Sequence, residues 1–388
     1  MPESNPAARL VAAIQGAIEQ HPLGTTMKLA EPINAGLFDG AGKPMVVTDA
    51  SFLASSAGAL AAVRQFFGNR WRTGDVAITN DADAGAANAC EMIVVAPIFA
   101  AGTAPAAWAL ARARVPDFGG WELGGYSPQA VDRWAEGARI EPAKLVVGGA
   151  WRREVGDMLR LNSRTPTLTL RIAMILTETA RSIAASWHAA QGIERGTIEA
   201  EIAAAVASES EKIDRAFKTL SRSKQRIEQP VRVPIPSEPI APITVAMRYD
   251  GVRLHVALSG PAASPLPINL GRYGAQDIVI GAVSAGFAPR RLTTAAILDR
   301  VVIEVPEPSL LAAPLPATVG LGRETTGQAV FRGVLAALSA NGLYVDADAA
   351  WQAYCRTALG GRLDFSTGRL SAEMAAAIRN LEAAEACG

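Results

Sequence analysis

The chain has 388 residues, which predicts two or three domains at about 100–200 residues each. Apolar residues make up 49% of the chain and charged residues 19%, so it can bury a large core, and global disorder is excluded. The 37 basic and 37 acidic residues cancel, which argues against a broad nucleic-acid-binding surface. No apolar run approaches the roughly 20 residues of a membrane span. The first residues lack the order of a signal peptide. We therefore expect a cytoplasmic protein without membrane or nucleic-acid partners.

The chain has only three cysteines and three histidines, and none of them lies near another at a spacing typical of a metal site. An odd number of scattered cysteines argues against a disulfide framework or a zinc knuckle. Any mechanism that needs several histidines is disfavoured. These residues are Cys90, Cys355, Cys387, His21, His188 and His255.

Residues 1–150 predict a β-rich N-terminal part. Short apolar runs bounded by Gly and Asp are typical of buried strands and hairpins, whereas a repeat near 3.6 residues predicts a helix. The predicted elements are a helix at 6–20, a hairpin over 36–47, a helix at 57–67, and strands at 74–81, 92–99 and 108–113.

Residues 151–228 predict a helical region, with helices at 154–161, 168–190 and 197–226. A segment with five prolines follows at 229–242 and predicts an extended linker. Residues 229–388 predict a smaller α/β part, with a hairpin closed by Asp250-Gly251, helices at 276–285, 325–338 and 371–386, and a strand at 300–305. We therefore expect an α+β fold with three successive parts.

Six short segments, in order, carry a specific resemblance. The first segment joins residues 74–81 (GDVAITND) with 91–99 (EMIVVAPIF), and it is followed by 117–120 (DFGG), 136–145 (EGARIEPAKL) and 162–166 (NSRTP). Later segments are 259–269, which ends in PIN, and 305–326, which contains PEPSLL and ETT. In this order they resemble the hydantoinase B family, which includes subunits of ATP-dependent hydantoinases, 5-oxoprolinases and acetone-type carboxylases.

The resemblance implies a divalent metal site whose ligands this chain has changed. In the family, the metal is held by the His and Asp of a THLPD motif and by a His of an HH-x-DIGG motif. Here the first His position is Asn88 and the Asp position is Glu91, while the two adjacent histidines fall on Arg114 and Val115. Asn is a poor metal ligand, the Val side chain has no ligand atom, and the charge of Arg114 repels a cation.

An upstream family motif with two histidines falls on residues 51–59, where Ser51 and Ser55 stand at the histidine positions. Every site histidine implied by the resemblance is therefore replaced. We expect this chain to bind no metal and no cofactor, with ATP and a divalent metal handled by partner subunits.

Two interpretations of the remaining carboxylates stay open. They could hold Mg²⁺ or Mn²⁺ through oxygen ligands alone. Alternatively, the site is inactive, and the carboxylates pair with Arg112 and Arg114 or face water. The candidate oxygen ligands are Asp81, Asp83, Glu91 and Asp117.

Cys90 lies in the same loop as the altered ligands and is a candidate nucleophile, alongside Asp81 and Asp117 as candidate catalytic carboxylates. A nucleophilic thiol needs a neighbour that lowers its pKa, and no histidine is close in sequence. The alternative for Cys90 is a buried, inert thiol.

The resemblance implies a subunit of an ATP-dependent hydantoinase-, oxoprolinase- or acetone-carboxylase-like complex. Because the site histidines are replaced, we expect a structural or regulatory role in a hetero-oligomer. The expected partners are an actin-fold subunit of the hydantoinase A type and a hydantoinase B-like subunit with intact histidines. One alternative is an active amidohydrolase or carboxylase subunit with a rebuilt oxygen-ligand site. Another is a stand-alone small-molecule-binding protein on a retired enzyme scaffold.

Overall fold

The computed structural model describes residues 33–100, 102–191, 197–233, 238–287, 293–355, 363–364, 369–370 and 376. The predicted helix at 6–20 lies outside these residues, as does the one at 371–386 apart from residue 376. Within the described part, no helix combines the length and the apolar character needed to cross a membrane.

The strands belong to three sheets. In chain order they are β1 (Asn34–Asp39), β2 (Pro44–Val47), β3 (Val76–Thr79), β4 (Glu91–Phe99), β5 (Pro105–Arg114), β6 (Ala143–Val147), β7 (Ala150–Trp151), β8 (Gln225–Gln229), β9 (Ile243–Tyr249), β10 (Leu254–Ser259), β11 (Thr293–Thr294), β12 (Val301–Glu304), β13 (Leu363–Asp364) and β14 (Arg369–Leu370).

The helices lie between these strands and after them. In chain order they are α1 (Leu53–Phe67), α2 (Arg133–Glu136), α3 (Arg153–Leu161), α4 (Pro166–Gln191), α5 (Thr197–Phe217), α6 (Gly274–Phe287), α7 (Ala296–Arg300), α8 (Thr326–Ala340) and α9 (Ala347–Tyr354). Together with the sheets they confirm the predicted α+β class.

The largest sheet has eight strands in the order β11-β2-β1-β5-β4-β3-β6-β7, and each neighbouring pair is antiparallel. Both of its faces are buried. Along β4, Ile93 and Val95 pack into one core while Met92 and Val94 pack into the other, because successive side chains of a strand point to opposite faces. Because both faces are buried, the sequence of β4 is a continuous apolar run and does not alternate between apolar and polar residues.

The two cores lie on either side of this sheet. Helix α4 supplies Ile172 and Leu176 to one core, while α1 and α6 supply Leu60 and Ile278 to the other. Helix α4 begins at Pro166, whose fixed φ and missing N–H suit the first helical position.

The second sheet has the order β12-β10-β9-β8 and carries α8 on one face. The predicted hairpin is confirmed as β9 and β10, which pair antiparallel on either side of Asp250-Gly251. Gly251 has a φ of +102°, which L-residues with a side chain rarely adopt.

The predicted C-terminal end of the third helix of the helical region is wrong. Residues 197–226 were expected to form a single helix, but α5 ends at Phe217 and β8 pairs with β9. The serines at 221 and 223 favour a turn, because their hydroxyls compete for backbone groups. Ser221 and Ser223 both donate to the side chain of Asn341 after α8. The chain therefore leaves the helix and becomes an edge strand.

The three expected parts share their cores. Strand β11, from the C-terminal part, pairs with β2 and so extends the N-terminal sheet. The first core draws on residues from 38 to 354, and the second on residues from 33 to 202. The helical region therefore packs as a layer of the first sheet.

Candidate functional site

Three motifs that are far apart in the sequence meet at one end of the larger sheet. Strands β4 and β5 run antiparallel, so Glu91 at the start of β4 lies opposite Arg114 at the end of β5. The first turn of α1 lies against the same end, because Arg112 of β5 reaches Ser55. The fold thus brings together positions that the resemblance assigns to metal ligands.

Arg112 lies between these positions and is only 1% exposed. Its Nε donates to Oε1 of Glu91 at 3.0 Å, and its Nη2 lies 2.7 Å from Oε2 of the same carboxylate in an ion pair. Nη1 donates to the hydroxyls of Ser55 and Ser56, at 2.7 and 3.2 Å. Nη2 also donates to the carbonyl of Gly85 at 3.1 Å. Five oxygen atoms thus surround the guanidinium, and four of them accept hydrogen bonds from it.

A second buried ion pair adjoins the first through Phe52. The guanidinium carbons of Arg112 and Arg323 lie 4.7 and 4.8 Å from the centre of the Phe52 ring. Nη2 of Arg323 donates to Oδ2 of Asp277 at 3.1 Å. Oδ1 of Asp277 accepts two backbone N–H groups in the first turn of α1, at 2.9 and 3.1 Å. Asp277 therefore fixes the helix turn that carries Ser55.

A third pair completes the group. Nη1 of Arg114 lies 3.8 Å from Oε1 of Glu324, which also accepts the hydroxyl of Tyr126 at 3.0 Å. We call the six charged residues the arginine cluster, and none of them is more than 5% exposed. Because three positive and three negative groups are present, the cluster is neutral when all are ionised. Its members are Arg112, Arg114, Arg323, Glu91, Asp277 and Glu324.

Burial and the arginines act in opposite directions on these carboxyl groups. Burial raises the pKa of Glu91, but Arg112 and Arg323 outweigh it, so the pKa lies below its usual value. At Asp277, burial exceeds the effect of Arg323 and Arg112, and the pKa is raised. Burial also raises the pKa of Glu324 despite the nearby Arg114. Glu91 is thus the carboxylate whose charge is held most firmly.

A small cavity lies beside the cluster and is lined by Arg323, Val319, residues 85–87, residues 269–271 and residues 273–274. Its volume of about 10 Å³ is roughly the space of one water molecule. It is too small for an organic substrate.

Each of the other predicted carboxylates faces an arginine of its own rather than Arg112 or Arg114. The pairs are Asp81–Arg139, Asp83–Arg133 and Asp117–Arg164, with N–O distances of 2.9, 2.8 and 2.8 Å. Among the residues that the structure describes, no group of three or more His, Cys, Asp and Glu side chains could hold a metal ion.

The donor set at the aligned positions does not fit a divalent metal. Oδ1 of Asn88 accepts the backbone N–H of Cys90 at 3.1 Å. Both oxygens of Glu91 are engaged by Arg112, and Val115 has no ligand atom. A cation placed here would have to displace a guanidinium that already balances the carboxylate.

Cys90, His188 and His255 are not part of the arginine cluster. Cys90 is completely buried, and its Sγ is so close to Gly125 that a Cβ there would lie 2.8 Å away. His188 is exposed on α4, and Nε2 of His255 lies 2.7 Å from Asp250 on the surface hairpin. Two of the histidines and cysteines named from the sequence, His21 and Cys387, lie outside the described residues.

The sequence interpretation missed half of the cluster. Asp277, Arg323 and Glu324 come from α6 and the segment before α8, far from the motifs that suggested the site. A signal was present, because Asp277 is the one charged residue in the otherwise apolar α6 (GAQDIVIGAVSAGF). A buried charge needs a partner of opposite sign.

Comparisons with known proteins agree with the fold. The caprolactamase subunit beta of Pseudomonas jessenii is 33% identical over 106 residues, which are 27% of this chain and 18% of that one. The crystal structure of the ATP-dependent caprolactamase from the same organism has a TM-score of 0.74 at 19% identity, covering 86% of this chain and 60% of that chain. Acetone carboxylase, in a nucleotide-free structure, has a TM-score of 0.74 at 15% identity, covering 87% of this chain and 48% of that chain.

At these identities the structural likeness shows the fold alone, and the chain spans less than two thirds of the length of each relative. The model of the hydantoinase B/oxoprolinase family, however, matches residues 12–378, which is nearly the whole chain. The six motifs lie within that match, and the fold brings three of the aligned ligand positions together. The chain is therefore a member of the hydantoinase B/oxoprolinase family.

Proposed function

We propose that this chain is a structural or regulatory subunit of an ATP-dependent complex that opens cyclic amides or carboxylates ketones. Its family membership and its similarity to a caprolactamase subunit and to acetone carboxylase support the reaction class. The observation that carries the role is the full engagement of Glu91 and Ser55 by Arg112. A ligand set closed by an internal cation has no open position for a substrate or a water nucleophile.

In such a complex, ATP belongs to an actin-fold subunit of the hydantoinase A type, and the divalent metal belongs to a hydantoinase B-like subunit with intact histidines. This chain then serves the assembly through its scaffold. We place the complex in the cytoplasm. Its expected partners are proteins, not nucleic acid or a membrane.

Purification of the chain from its native host, followed by metal analysis of each recovered subunit, tests this proposal. We expect both partner types to co-purify, with the metal in the partner. ATP-dependent hydrolysis or carboxylation is then measured with and without this chain. If this chain has no catalytic role, folded Asp117→Asn and Cys90→Ala variants should leave the turnover of the assembled complex unaltered.

Two results would contradict the proposal in different ways. A monomer at micromolar concentration, with no partner recovered from the native lysate, would favour the stand-alone binding protein. A tightly held metal in this chain, lost together with activity in Glu91→Ala, would favour the active subunit with a rebuilt oxygen-ligand site.

A further inference from the structure

We propose that the small cavity beside the arginine cluster binds a monovalent anion close in size to a water molecule, with chloride as the expected ion. The site consists of the Arg323 guanidinium, residues 85–87 and the N-terminal end of α6, and we call it the Arg323 pocket. The positions that the family resemblance assigns to metal ligands lie nearby, and none of them lines the pocket. The inference concerns this chain alone and does not depend on the proposed function.

Arg323 supplies the charge of the pocket. It is the only charged residue among those that line the cavity in the described part of the chain, and it is 5% exposed. Its Nη2 donates to Oδ2 of Asp277 at 3.1 Å. Its Nε and Nη1 are buried and have no hydrogen-bond partner among the described residues. Because a buried donor without an acceptor is unfavourable, these two groups require an acceptor that the surrounding side chains and backbone do not supply.

The N-terminal end of α6 adds positive potential at the same cavity. Tyr273 and Gly274 line the cavity, and α6 begins at Gly274. The N–H of Asp277 donates to the carbonyl of Tyr273 at 3.1 Å, so the N–H groups before it precede the first helical acceptor. With 14 residues, α6 is long enough for its dipole to place about half a positive charge at this end, where anions bind readily. The helix end and Arg323 are independent features that favour the same kind of ligand.

The nearby carboxylates are bound to other donors. They belong to Glu91, Asp277 and Glu324, and none of the three lines the pocket. Both oxygens of Glu91 are engaged by Arg112 and by a backbone N–H. Oδ1 of Asp277 accepts two backbone N–H groups of α1, and Glu324 accepts the hydroxyl of a tyrosine. An anion in the pocket therefore meets N–H donors without a carboxylate in the wall.

The size and the charge of the pocket limit the ligand and its affinity. A volume of about 10 Å³ accepts a single-atom ion and excludes phosphate and organic acids. The arginine cluster is neutral when all its groups are ionised, so the anion adds one negative charge, which the helix end balances in part. Charge-assisted hydrogen bonds from one arginine, together with one helix end, correspond to a dissociation constant on the order of 10 mM.

The first test is the thermal unfolding of the full-length wild type as sodium chloride replaces sodium gluconate at constant ionic strength. Gluconate is too large for the pocket, so the series isolates the effect of the small anion. At about ten times the dissociation constant, the Tm should rise by about 2 °C. Arg323→Lys keeps the positive charge but lacks Nε and Nη1, and it should lose the rise. Arg272→Ala removes an exposed arginine outside the lining and, as the matched control, should keep it.

The second test identifies the occupant in crystals of the wild type grown in sodium bromide. Bromide is the heavier analogue of chloride and produces an anomalous scattering peak, whereas a water molecule produces none. We expect an anomalous peak within hydrogen-bond distance of Nε and Nη1 of Arg323. This test requires no variant, so it remains decisive if Arg323→Lys does not fold.

Three results would overturn the inference. Density at Nε and Nη1 of Arg323 without an anomalous signal would identify a bound water molecule. A wild-type Tm that is equal in chloride and gluconate would mean binding at crystal concentration only, even with a bromide peak present. A rise of the same size in Arg323→Lys would place the anion at another site.

Discussion

Glu136 offers a direct test of how burial controls charge near the cluster. It is 1% exposed, and its Oε1 accepts the backbone N–H groups of Val319 and Gly320 at 2.8 and 2.6 Å. Burial raises the pKa of this carboxyl from 4.5 to about 7, although the two N–H groups and Arg133 oppose the rise. The perturbation is Glu136→Gln, which keeps an acceptor oxygen for both N–H groups and removes the titration.

The sign follows from the raised pKa. Between pH 4.5 and about 7 the folded chain holds a proton that the unfolded chain releases, so folding is favoured most at the acid end. This contribution is fully present below pH 4.5 and is lost as the pH rises through about 7. At about 1.4 kcal/mol for each tenfold change in proton affinity, the whole loss is about 3 kcal/mol. The Gln variant should not lose it.

The assay is urea unfolding of both proteins from about pH 5 to about pH 8, at low protein concentration because the formal net charge is near zero at neutral pH. The free energy of unfolding of the wild type, minus that of Glu136→Gln, should fall by about 2–3 kcal/mol across this range, which covers most of the whole loss. Taking the difference cancels the other buried carboxyls. Glu141→Gln, at an exposed carboxylate, is the control and should leave the wild-type curve unchanged. Parallel curves for wild type and Glu136→Gln would refute the reasoning.

Three further outcomes are expected. Gly85→Ala should lower the free energy of unfolding by about 3 kcal/mol or more, since its Cβ would meet backbone at 2.3 Å, whereas Gly68→Ala, whose Cβ meets nothing within 4 Å, should cost about 1 kcal/mol in the same urea assay. Asp277→Asn should cost about 3–5 kcal/mol because it leaves a buried arginine uncompensated, and Asp346→Asn, at the exposed N-cap of α9, less than about 1 kcal/mol. Elemental analysis of the purified wild type should find zinc and manganese far below one ion per chain, and a stoichiometric, tightly bound ion would contradict this.

The sequence predicts most of the fold where the signal is local. The strand at 92–99, the hairpin around Asp250-Gly251 and the long helix from 168 are confirmed because each carries its own periodicity or turn residues. Strand β8 lacks such a signal, since its five residues alternate only between half-buried and exposed positions. Its strand conformation comes from pairing with β9, which lies beyond the proline-rich segment. Strand β11 has only two residues, and its strand conformation comes from pairing with β2.

The site is predictable in position but not in chemistry. Motif order places Ser55, Glu91 and Arg114 in one region, and the structure brings them together. The sequence suggests both Arg112 and Arg114 as opposing charges, and in the structure Arg112 is the one that binds Glu91. The two arginines lie two residues apart on β5 and so share a face, and only the tertiary contacts distinguish them. Contacts such as Asp277 with the first turn of α1 span 222 residues and leave no local pattern.

Charge balance explains the arginines that lie at and beside the positions the resemblance assigns to metal ligands. A buried carboxylate such as Glu91 needs a positive partner, because an isolated charge in the core costs several kcal/mol. Where no imidazole can hold a metal ion, a guanidinium supplies the same sign of charge and five directed donors. Arg112 is paired with Glu91, and Arg114 and Arg323 balance Glu324 and Asp277 in turn. The cluster is thus neutral as a whole, and loss of any one member leaves a charge of the opposite sign buried without compensation.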